Sequence, residues 1–368
     1  MSIKGEMNML RTVPAVFAVN REYQIMVEVE REALLTVRVG EKTYYDETNG
    51  IMNSLSPIHR VSVPMEVLDS AKEYTVCIRP LIKRKPYFTE TEEPVEFTFS
   101  FKPVPEDNIR IYHISDAHNK IEGPVAAAKA FGDIDLLILN GDVIDHSGRP
   151  EKFINVYEIC AALTNGNIPV VFSRGNHDMR GNFAEKFAEY TPSYLRRTYY
   201  TFQVGSIWGM LLDCGEDKDE SHAAYGFTNA SHCFRERQTQ YIKEVIENAS
   251  SEYEQEGVKT KFVIAHNPFT RIDEPPFNIE SEIYSEWARL LREYIKPDLM
   301  ICGHVHVCEI YPVGGKDDHL GQPCPIVVGA HPEQDCFTAC GLTVKDDRFE
   351  IAFTNSRGET VSSETLKR

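Results

Sequence analysis

The sequence predicts an α/β domain that follows a smaller all-β domain. The first hundred or so residues carry the alternating apolar and polar pattern of short β-strands. From Ile109 onward, strand-like runs alternate with segments of helical periodicity, which is typical of α/β architecture. Between the two lies the segment Lys102–Asn108, whose prolines at 103 and 105 cannot continue a strand ladder. We therefore expect an all-β sandwich over residues 1–105, an α/β domain over residues 106–357 and a polar, frayed tail over residues 358–368.

The N-terminal segment contains several short strands rich in β-branched residues. Their spacing favours a small antiparallel sandwich of the immunoglobulin or fibronectin kind. No cluster of metal-binding or nucleophilic residues occurs in this segment. We favour a structural role for it, while a carbohydrate-binding or protein-binding module stays open. The clearest predicted strands are Glu22–Val29, Ala33–Val39, Tyr74–Arg79 and Val95–Phe101.

In the second segment, predicted strands and helices follow one another in turn. Strands at Ile109–Ile114, Asp135–Asn140 and Pro169–Ser173 are separated by helical patterns at Val125–Phe131 and Phe153–Leu163. This alternation favours α/β architecture. The alternation continues over Phe234–Asn248, Lys261–Ala265, Ser281–Tyr294 and Asp298–Cys302, and the region Cys324–Phe353 returns to strands.

Charge and cysteine usage limit the classes of partner. The net charge of −17 disfavours nonspecific binding to nucleic acid or to an anionic membrane. The nine cysteines show no CxxC spacing, which is typical of reduced thiols. No secretory signal is visible, nor is a run of about 18 apolar residues. We therefore expect a cytoplasmic protein that contacts neither nucleic acid nor membrane.

Five loops rich in aspartate, asparagine and histidine come directly after predicted strands. Ligands of open α/β sheets bind outside the carboxyl ends of the strands, so these loops are expected to meet at one site. The five segments are Asp116-Ala117-His118, Gly141-Asp142-Val143-Ile144-Asp145, Gly175-Asn176-His177-Asp178, Ala265-His266-Asn267 and Gly303-His304-Val305-His306.

The residue types in these loops suit metal binding. Carboxylate oxygens and imidazole nitrogens together hold divalent Mn, Fe, Co or Zn. In an extended segment, residues i and i+2 share a face, so Asp116 and His118 can reach one ion, as can His304 and His306. Each segment alone is weak evidence, because single histidines and Asp-rich turns are usually structural. All five in this order, each after an apolar strand, indicate a functional site.

Together these segments resemble the signature of the calcineurin-like metallophosphoesterases, over roughly residues 109–353. The resemblance implies two packed mixed β-sheets flanked by helices, and hydrolysis of phosphate esters with two divalent metal ions. One ion would be held by Asp116, His118 and His306. Asp142 would bridge both ions, and the second would be held by Asn176, His266 and His304.

The resemblance also implies the steps of the reaction. A hydroxide that bridges the two ions would attack phosphorus in line with the leaving oxygen. His177 would not bind metal but would lie near that oxygen as an acid or transition-state stabiliser, with Asp145 orienting it. Two metal ions would also make the site locally cationic in an acidic protein. Inorganic phosphate is then the expected product or inhibitor.

Some positions depart from well-known branches of the family. The order of the two domains resembles that of purple acid phosphatases, but Asp145 stands where those enzymes have a tyrosine, and His118 where they have a glycine. The tyrosinate colour of those enzymes is therefore not expected. Protein Ser/Thr phosphatases have an arginine where His146 stands. Two nearby arginines, Arg149 and Arg174, are candidates for a phosphate clamp or for ordinary salt bridges.

Substrate choice depends on loops that the motifs do not determine. The segments Gly215–His232 and Asn267–Glu280 either wall the pocket with aromatic residues or are ordinary surface loops. We favour hydrolysis of small-molecule phosphomonoesters or phosphodiesters. A nuclease or protein phosphatase is the alternative, and a non-catalytic scaffold is disfavoured because the predicted ligand set is complete. The metal, the leaving group and the oligomeric state stay open.

Overall fold

The computed structural model describes residues 9–47 and 50–368. Residues 1–8, with which the predicted sandwich begins, therefore lie outside the described residues. The first part of the chain contains eight strands and one short helix: β1 (Ala15–Val19), β2 (Glu22–Glu28), β3 (Ala33–Val39), β4 (Lys42–Tyr45), β5 (Ile58–Pro64), α1 (Met65–Ala71), β6 (Glu73–Lys85), β7 (Phe88–Thr91) and β8 (Val95–Ser100).

The second part alternates strands and helices as the sequence predicts. Its elements are β9 (Ile109–Ile114), α2 (Glu122–Phe131), β10 (Leu136–Asn140), α3 (Ile154–Thr164), β11 (Pro169–Ser173), α4 (Phe187–Tyr190), β12 (Thr201–Val204), β13 (Ile207–Leu212), α5 (Ser231–Glu247), β14 (Thr260–Ala265), α6 (Ser281–Leu290), β15 (Leu299–Cys302), β16 (Cys308–Tyr311), β17 (Ile326–Gly329), β18 (His331–Pro332), β19 (Phe337–Val344), β20 (Arg348–Asn355) and β21 (Thr360–Lys367).

Two large mixed sheets carry the loops of interest. The first has ten strands in the order β21-β20-β19-β9-β10-β11-β1-β2-β5, with β18 paired to β19. The second has six strands in the order β12-β13-β14-β15-β17-β16. Strands β9, β10 and β11 are mutually parallel, and so are β13, β14, β15 and β17. Within each of these parallel sets, the carboxyl ends of the strands therefore share one edge of the sheet.

The two large sheets pack face to face, and helices cover their outer faces. Alternation along β13 shows this: Leu211 belongs to the apolar cluster shared by both sheets, while Met210 and Leu212 belong to the cluster that includes α5 and α6. Trp287 of α6 is fully buried in that second cluster. On the other side, Phe131 of α2 packs against Tyr112 of β9. The predicted α/β fold of two packed mixed sheets flanked by helices is confirmed.

The N-terminal region is almost all β, as predicted, but its strands are divided between two sheets. Strands β3, β4, β6, β7 and β8 form a separate five-stranded sheet. Strands β1, β2 and β5 instead extend the ten-stranded sheet, where β1 pairs in parallel with β11 through Val16 opposite Pro169. Hydrogen bonding thus crosses the predicted boundary at residues 105 and 106. The division into separate folding units stays a prediction.

The C-terminal residues differ from the sequence-based expectation. The segment predicted to fray as a polar tail forms β21, which pairs antiparallel with β20 from Lys367 opposite Arg348 to Thr360 opposite Thr354. Its side chains are mostly exposed, so the polar composition reflects an edge strand and not disorder. Among the helices of the described residues, none is long and apolar enough to cross a membrane.

Candidate metal centre

The predicted ligands lie in loops at the carboxyl ends of the parallel strands. Three of these loops follow β9, β10 and β11 of the first sheet, and the other two follow β14 and β15 of the second. Because the sheets pack face to face, the two sets of loops meet above their shared core. The structure brings the seven predicted ligands together: Asp116, His118, Asp142, Asn176, His266, His304 and His306.

Their atoms form two adjoining groups. In the first, the carboxylate of Asp116 lies 3.3 Å from His306 Nε2, which lies 3.3 Å from His118 Nε2. In the second, the carboxylate of Asp142 lies 3.2 Å from His266 Nε2. There, Asn176 Oδ1 lies 3.0 Å from His304 Nδ1.

Buried polar atoms in this cluster test whether a metal ion fits. Asp116 Oδ1 and His266 Nε2 are both buried, lie 3.7 Å apart and have no hydrogen-bond partner. Leaving such atoms unpaired costs about 1–3 kcal/mol each. A divalent cation satisfies lone pairs of carboxylate and imidazole at once. The donor set and its unpaired atoms therefore fit a metal ion.

The backbone of the ligand loops is held in an unusual conformation. Five of the predicted ligands have positive φ angles: +53° at Asp116, +44° at His118, +51° at Asp142, +70° at His304 and +54° at His306. For residues other than glycine this region costs about 1–2 kcal/mol each. Such strain persists only where the surrounding structure holds it, and it clusters at functional sites.

Two glycines make room for the ligands. A Cβ atom at Gly175 would overlap the carboxylate of Asp142, and one at Gly303 would overlap Ser115 and the carboxylate of Asp116. The glycines of the third and fifth motif segments are therefore required by close packing beneath the metal site.

Residues beneath the ligands fix their orientation. The Asn140 carbonyl accepts a hydrogen bond of 2.7 Å from His266 Nδ1, which turns Nε2 toward the site. Ser115 donates to Asp116 Oδ2 at 2.6 Å. The buried Asp178 carboxylate accepts from the backbone N–H groups of Gly175 at 2.7 Å and Asp142 at 3.1 Å. Sequence reasoning missed these supporting roles, although all three residues stand inside or beside the motifs.

The pKa values in the cluster follow from burial and close charges. Burial alone would raise the pKa of Asp116, but the nearby imidazoles of His266 and His306 and the hydrogen bond from Ser115 hold it well below the usual range. Burial alone would lower the pKa of His266, yet the carboxylates of Asp142 and Asp116 raise it to about 10. Burial and the charge of Asp142 raise the pKa of Asp178 to about 8. The site is thus dominated by opposite charges in close contact.

The predicted catalytic histidine lies beside the first group of ligands. The ring of His177 is 4.7 Å from that of His118, and its Nε2 is 4.0 Å from the Asp142 carboxylate. Its Nδ1 lies 2.9 Å from the carbonyl oxygen of Asp145, so Nδ1 carries the proton that this contact requires. Nε2 is left to face the site.

Comparison with known proteins gives the family. The family model described as calcineurin-like phosphoesterase matches residues 109–308, more than half of the chain. The chain belongs to the calcineurin-like phosphoesterases. It is therefore a metal-dependent phosphoesterase, as the motifs predicted.

Among solved structures, one shares the fold over most of this chain and others match at lower scores. A purple acid phosphatase from yellow lupin seeds is 15% identical, with a TM-score of 0.60, over 97% of this chain and 74% of that one. A protein of Thermus thermophilus is 14% identical with a TM-score of 0.39, over 71% and 99%. Vacuolar Protein Sorting 29 from Cryptosporidium parvum is 11% identical with a TM-score of 0.36, over 71% and 100%. The search of curated proteins finds no match.

In this phosphoesterase, the contact that orients the predicted catalytic histidine differs from the prediction. The backbone carbonyl of Asp145 contacts His177, whereas its carboxylate pairs with Lys152 at 2.8 Å and points away. Burial alone would raise the pKa of Asp145, but the hydrogen bond from Lys152 lowers it to about 2. The sequence could not show which oxygen of Asp145 faces the imidazole.

Neither of the two arginines considered for a phosphate clamp has a described contact with a predicted metal ligand. Arg174 donates to Asp213 at 2.7 Å and is only 13% exposed, with its guanidinium over the rings of Phe187 and Phe234. It therefore has a structural role. Arg149 is exposed at the surface, and among the described contacts none joins its side chain to a predicted ligand.

A different arginine reaches the site. Arg180 Nη1 lies 2.9 Å from His177 Nε2, and the same guanidinium contacts Glu216 at 3.2 Å and Asp217 at 3.3 Å. Asp217 in turn accepts from Asn176 Nδ2 at 3.4 Å. Sequence reasoning missed Arg180, because its carboxylate partners stand 36 and 37 residues away. Its only signal is its position two residues beyond the third motif.

The two loops considered as pocket walls contact each other. Lys218 Nζ lies 4.6 Å from the centre of the Phe277 ring. His232 Nδ1 lies 3.0 Å from the Glu280 carboxylate. Through Asp217, the segment Gly215–His232 also reaches the ligand loops. At least this segment borders the metal centre and is more than an independent surface loop.

Proposed function

We propose that this chain hydrolyses small-molecule phosphate esters with two divalent metal ions. Asp116, His118 and His306 would hold one ion. Asn176, His266 and His304 would hold the other, with Asp142 between them. The proposal rests on the convergence of these side chains, with Asp116 Oδ1 and His266 Nε2 buried and without a hydrogen-bond partner. Such atoms favour a cation as their partner.

Protein side chains would position the metal ions and the leaving oxygen. When bound, two divalent ions neutralise the phosphoryl oxygens and lower the pKa of a coordinated water. Asp142 faces both groups of ligands, which suits a bridging position. The Asp145 carbonyl fixes the His177 imidazole so that Nε2 would face the leaving oxygen. Nε2 would donate there only in the protonated form, which replaces the hydrogen bond that Nε2 otherwise accepts from Arg180. Arg180 lies against the same nitrogen.

The acidic character of the chain supports a small-molecule substrate over a nucleic acid. A net charge of −17 repels a long polyanion, whereas a single phosphate can be held by the local positive charge of two ions. We therefore place phosphomonoesters and phosphodiesters of small alcohols before the nuclease and protein phosphatase alternatives. A cytoplasmic location remains our proposal, and nine free cysteines support a reducing compartment.

Reconstitution of metal-stripped protein tests the function. The stripped protein is loaded separately with Mn²⁺, Fe²⁺, Co²⁺ or Zn²⁺ and assayed on a phosphomonoester and a phosphodiester with the same alcohol. We expect no hydrolysis by the stripped protein and recovery with at least one metal. Equal activity before and after stripping, or no activity with any metal on either ester, would overturn the proposal.

A further inference from the structure

We propose that Arg180 and the cavity it lines form the leaving-group subsite of this phosphoesterase. The subsite has room for a ring-bearing alcohol of nucleoside size. This inference rests on the proposed function, because it requires phosphorus to be held at the metal centre.

Arg180 is held in a fixed position beside His177. Its Nη1 lies 2.9 Å from His177 Nε2, the atom that faces the leaving oxygen. Its other nitrogens contact the carboxylates of Glu216 and Asp217, which are only 2% and 8% exposed. A guanidinium held by two buried carboxylates is fixed in place. Arg180 therefore marks the side on which the leaving group departs.

An open cavity lies beside Arg180. Arg180 lines a cavity of about 600 Å³, within the range of about 300–1,000 Å³ that small-molecule pockets occupy. Its walls combine apolar and aromatic surface with side-chain amides, which suits a ring with hydrogen-bonding groups. The residues that matter here are Met179, Asn182, Ala184, Tyr225, Asn229 and Phe234.

Several charged side chains line the wall of this cavity. The positive charge of Arg180 is already matched by Glu216 and Asp217, and that of Arg174 by Asp213. Arg237 also lines the cavity, is exposed, and takes part in none of the described ion pairs. The wall therefore selects the leaving group by its size and ring, and does not exclude a charge on it.

Neighbouring cavities do not compete for this role. No predicted metal ligand lines the Arg180 cavity, the cavity of about 680 Å³ beside Tyr199 or the one of about 470 Å³ beside Lys102, and of these three only the first includes Arg180. A space of about 40 Å³ beside His304 is too small for a ring-bearing group. Of these four, only the cavity of Arg180 is joined to His177 by a direct contact.

The test compares two esters that release a primary alcohol but differ in size: adenosine 5′-monophosphate and ethyl phosphate. Ala184→Trp and Ala224→Trp place bulk on two walls of the cavity, and Ala162→Trp places it in the distant 470 Å³ cavity as a control. In both cavity variants, kcat/KM should fall at least about tenfold more for the nucleotide than for ethyl phosphate. The control should leave the ratio as in the parent.

A second measurement does not depend on catalysis. Saturation-transfer NMR of adenosine with metal-stripped protein should show binding to the parent and to Ala162→Trp, and none to Ala184→Trp. Equal losses for both esters in the cavity variants, with adenosine binding retained, would overturn the subsite and leave the proposed function intact. A parent that hydrolyses neither ester with any metal would overturn the proposed function, and the subsite with it.

Discussion

The two groups of predicted ligands differ in their exposure to solvent. In the second group, the side chains of His266 and Asp142 are only 1% and 2% exposed. In the first group, the side chain of His306 is 48% exposed and that of His118 is half-buried, although Asp116 is fully buried. The second group is thus more buried than the first, although its His304 is half-buried and Asp116 of the first group is fully buried.

This difference indicates how the two halves bind metal. Buried polar atoms cannot bind water when no metal ion is present. Leaving them without a cation therefore costs free energy. Exposed imidazoles can be hydrated when no ion is present. We therefore expect the buried half to bind its ion more tightly and release it more slowly than the open half, where substrate enters.

The largest effect should follow from Asp142→Asn, because Asp142 faces both halves. Loss of the central negative charge should weaken both ions and abolish hydrolysis. The loss should exceed the roughly 10–100-fold that removal of an outer partner of a metal ligand typically costs. Elemental analysis and kcat/KM are the measurements. A variant that keeps both ions and more than a tenth of the parent activity would refute the central position of Asp142.

The next largest effect should come from His177→Asn, which leaves both halves of the metal site intact. Removing the imidazole should cost about 10²–10⁴ in rate on an alkyl phosphate, whose alkoxide needs a proton donor. The loss should be smaller on a nitrophenyl ester, whose leaving group is already a stable anion. Rates are compared at matched metal occupancy. Equal losses on both esters, or loss of metal, would rule out the role at the leaving oxygen.

The variants His266→Ala and His306→Ala test whether the two halves of the site differ in metal binding. We expect His266→Ala to weaken metal binding at least about tenfold more than His306→Ala, because solvent can replace an exposed imidazole but not a buried one. Release of metal to a chromogenic chelator gives the affinity and the rate. The exposed His319, outside the ligand set, provides the control His319→Ala. Identical behaviour of the two site variants would remove the distinction between the halves.

The smallest effect is expected for Asp145→Asn. The carbonyl that orients His177 is kept, and the lost contact is a partly exposed ion pair with Lys152, worth about 0–1 kcal/mol. Activity should fall by less than about tenfold, with metal content unchanged. Steady-state kinetics decide: a loss as large as that of His177→Asn would mean that the carboxylate, and not the carbonyl, serves the imidazole.

Much of the candidate site was predictable because its information is local. In Asp116-Ala117-His118 and His304-Val305-His306, the spacing within a few residues already aims both side chains the same way. The order of strands and helices likewise predicted the α/β fold. The chemistry that escaped prediction depends on residues distant in sequence, such as Arg180 with Glu216 and Asp217.

Two further features depend on contacts between residues that are distant in sequence. Ala15–Val19 is buried along its whole length, which is typical of a strand inside a sheet, yet its partner β11 begins 150 residues later. Arg174 directly precedes a motif segment and is a candidate for a phosphate clamp or an ordinary salt bridge; its partner is Asp213, 39 residues away. Pairings of this kind are determined by the packed fold and leave no local pattern.

The number of metal ions bound per chain tests whether hydrolysis requires two of them. Metal-stripped protein is titrated with the activating metal, and bound metal is measured by elemental analysis alongside hydrolysis of ethyl phosphate. We predict two ions per chain, with the tighter one filling first and full activity only after the second. Full activity at one ion per chain, or hydrolysis that survives complete removal of metal, would contradict the two-metal account.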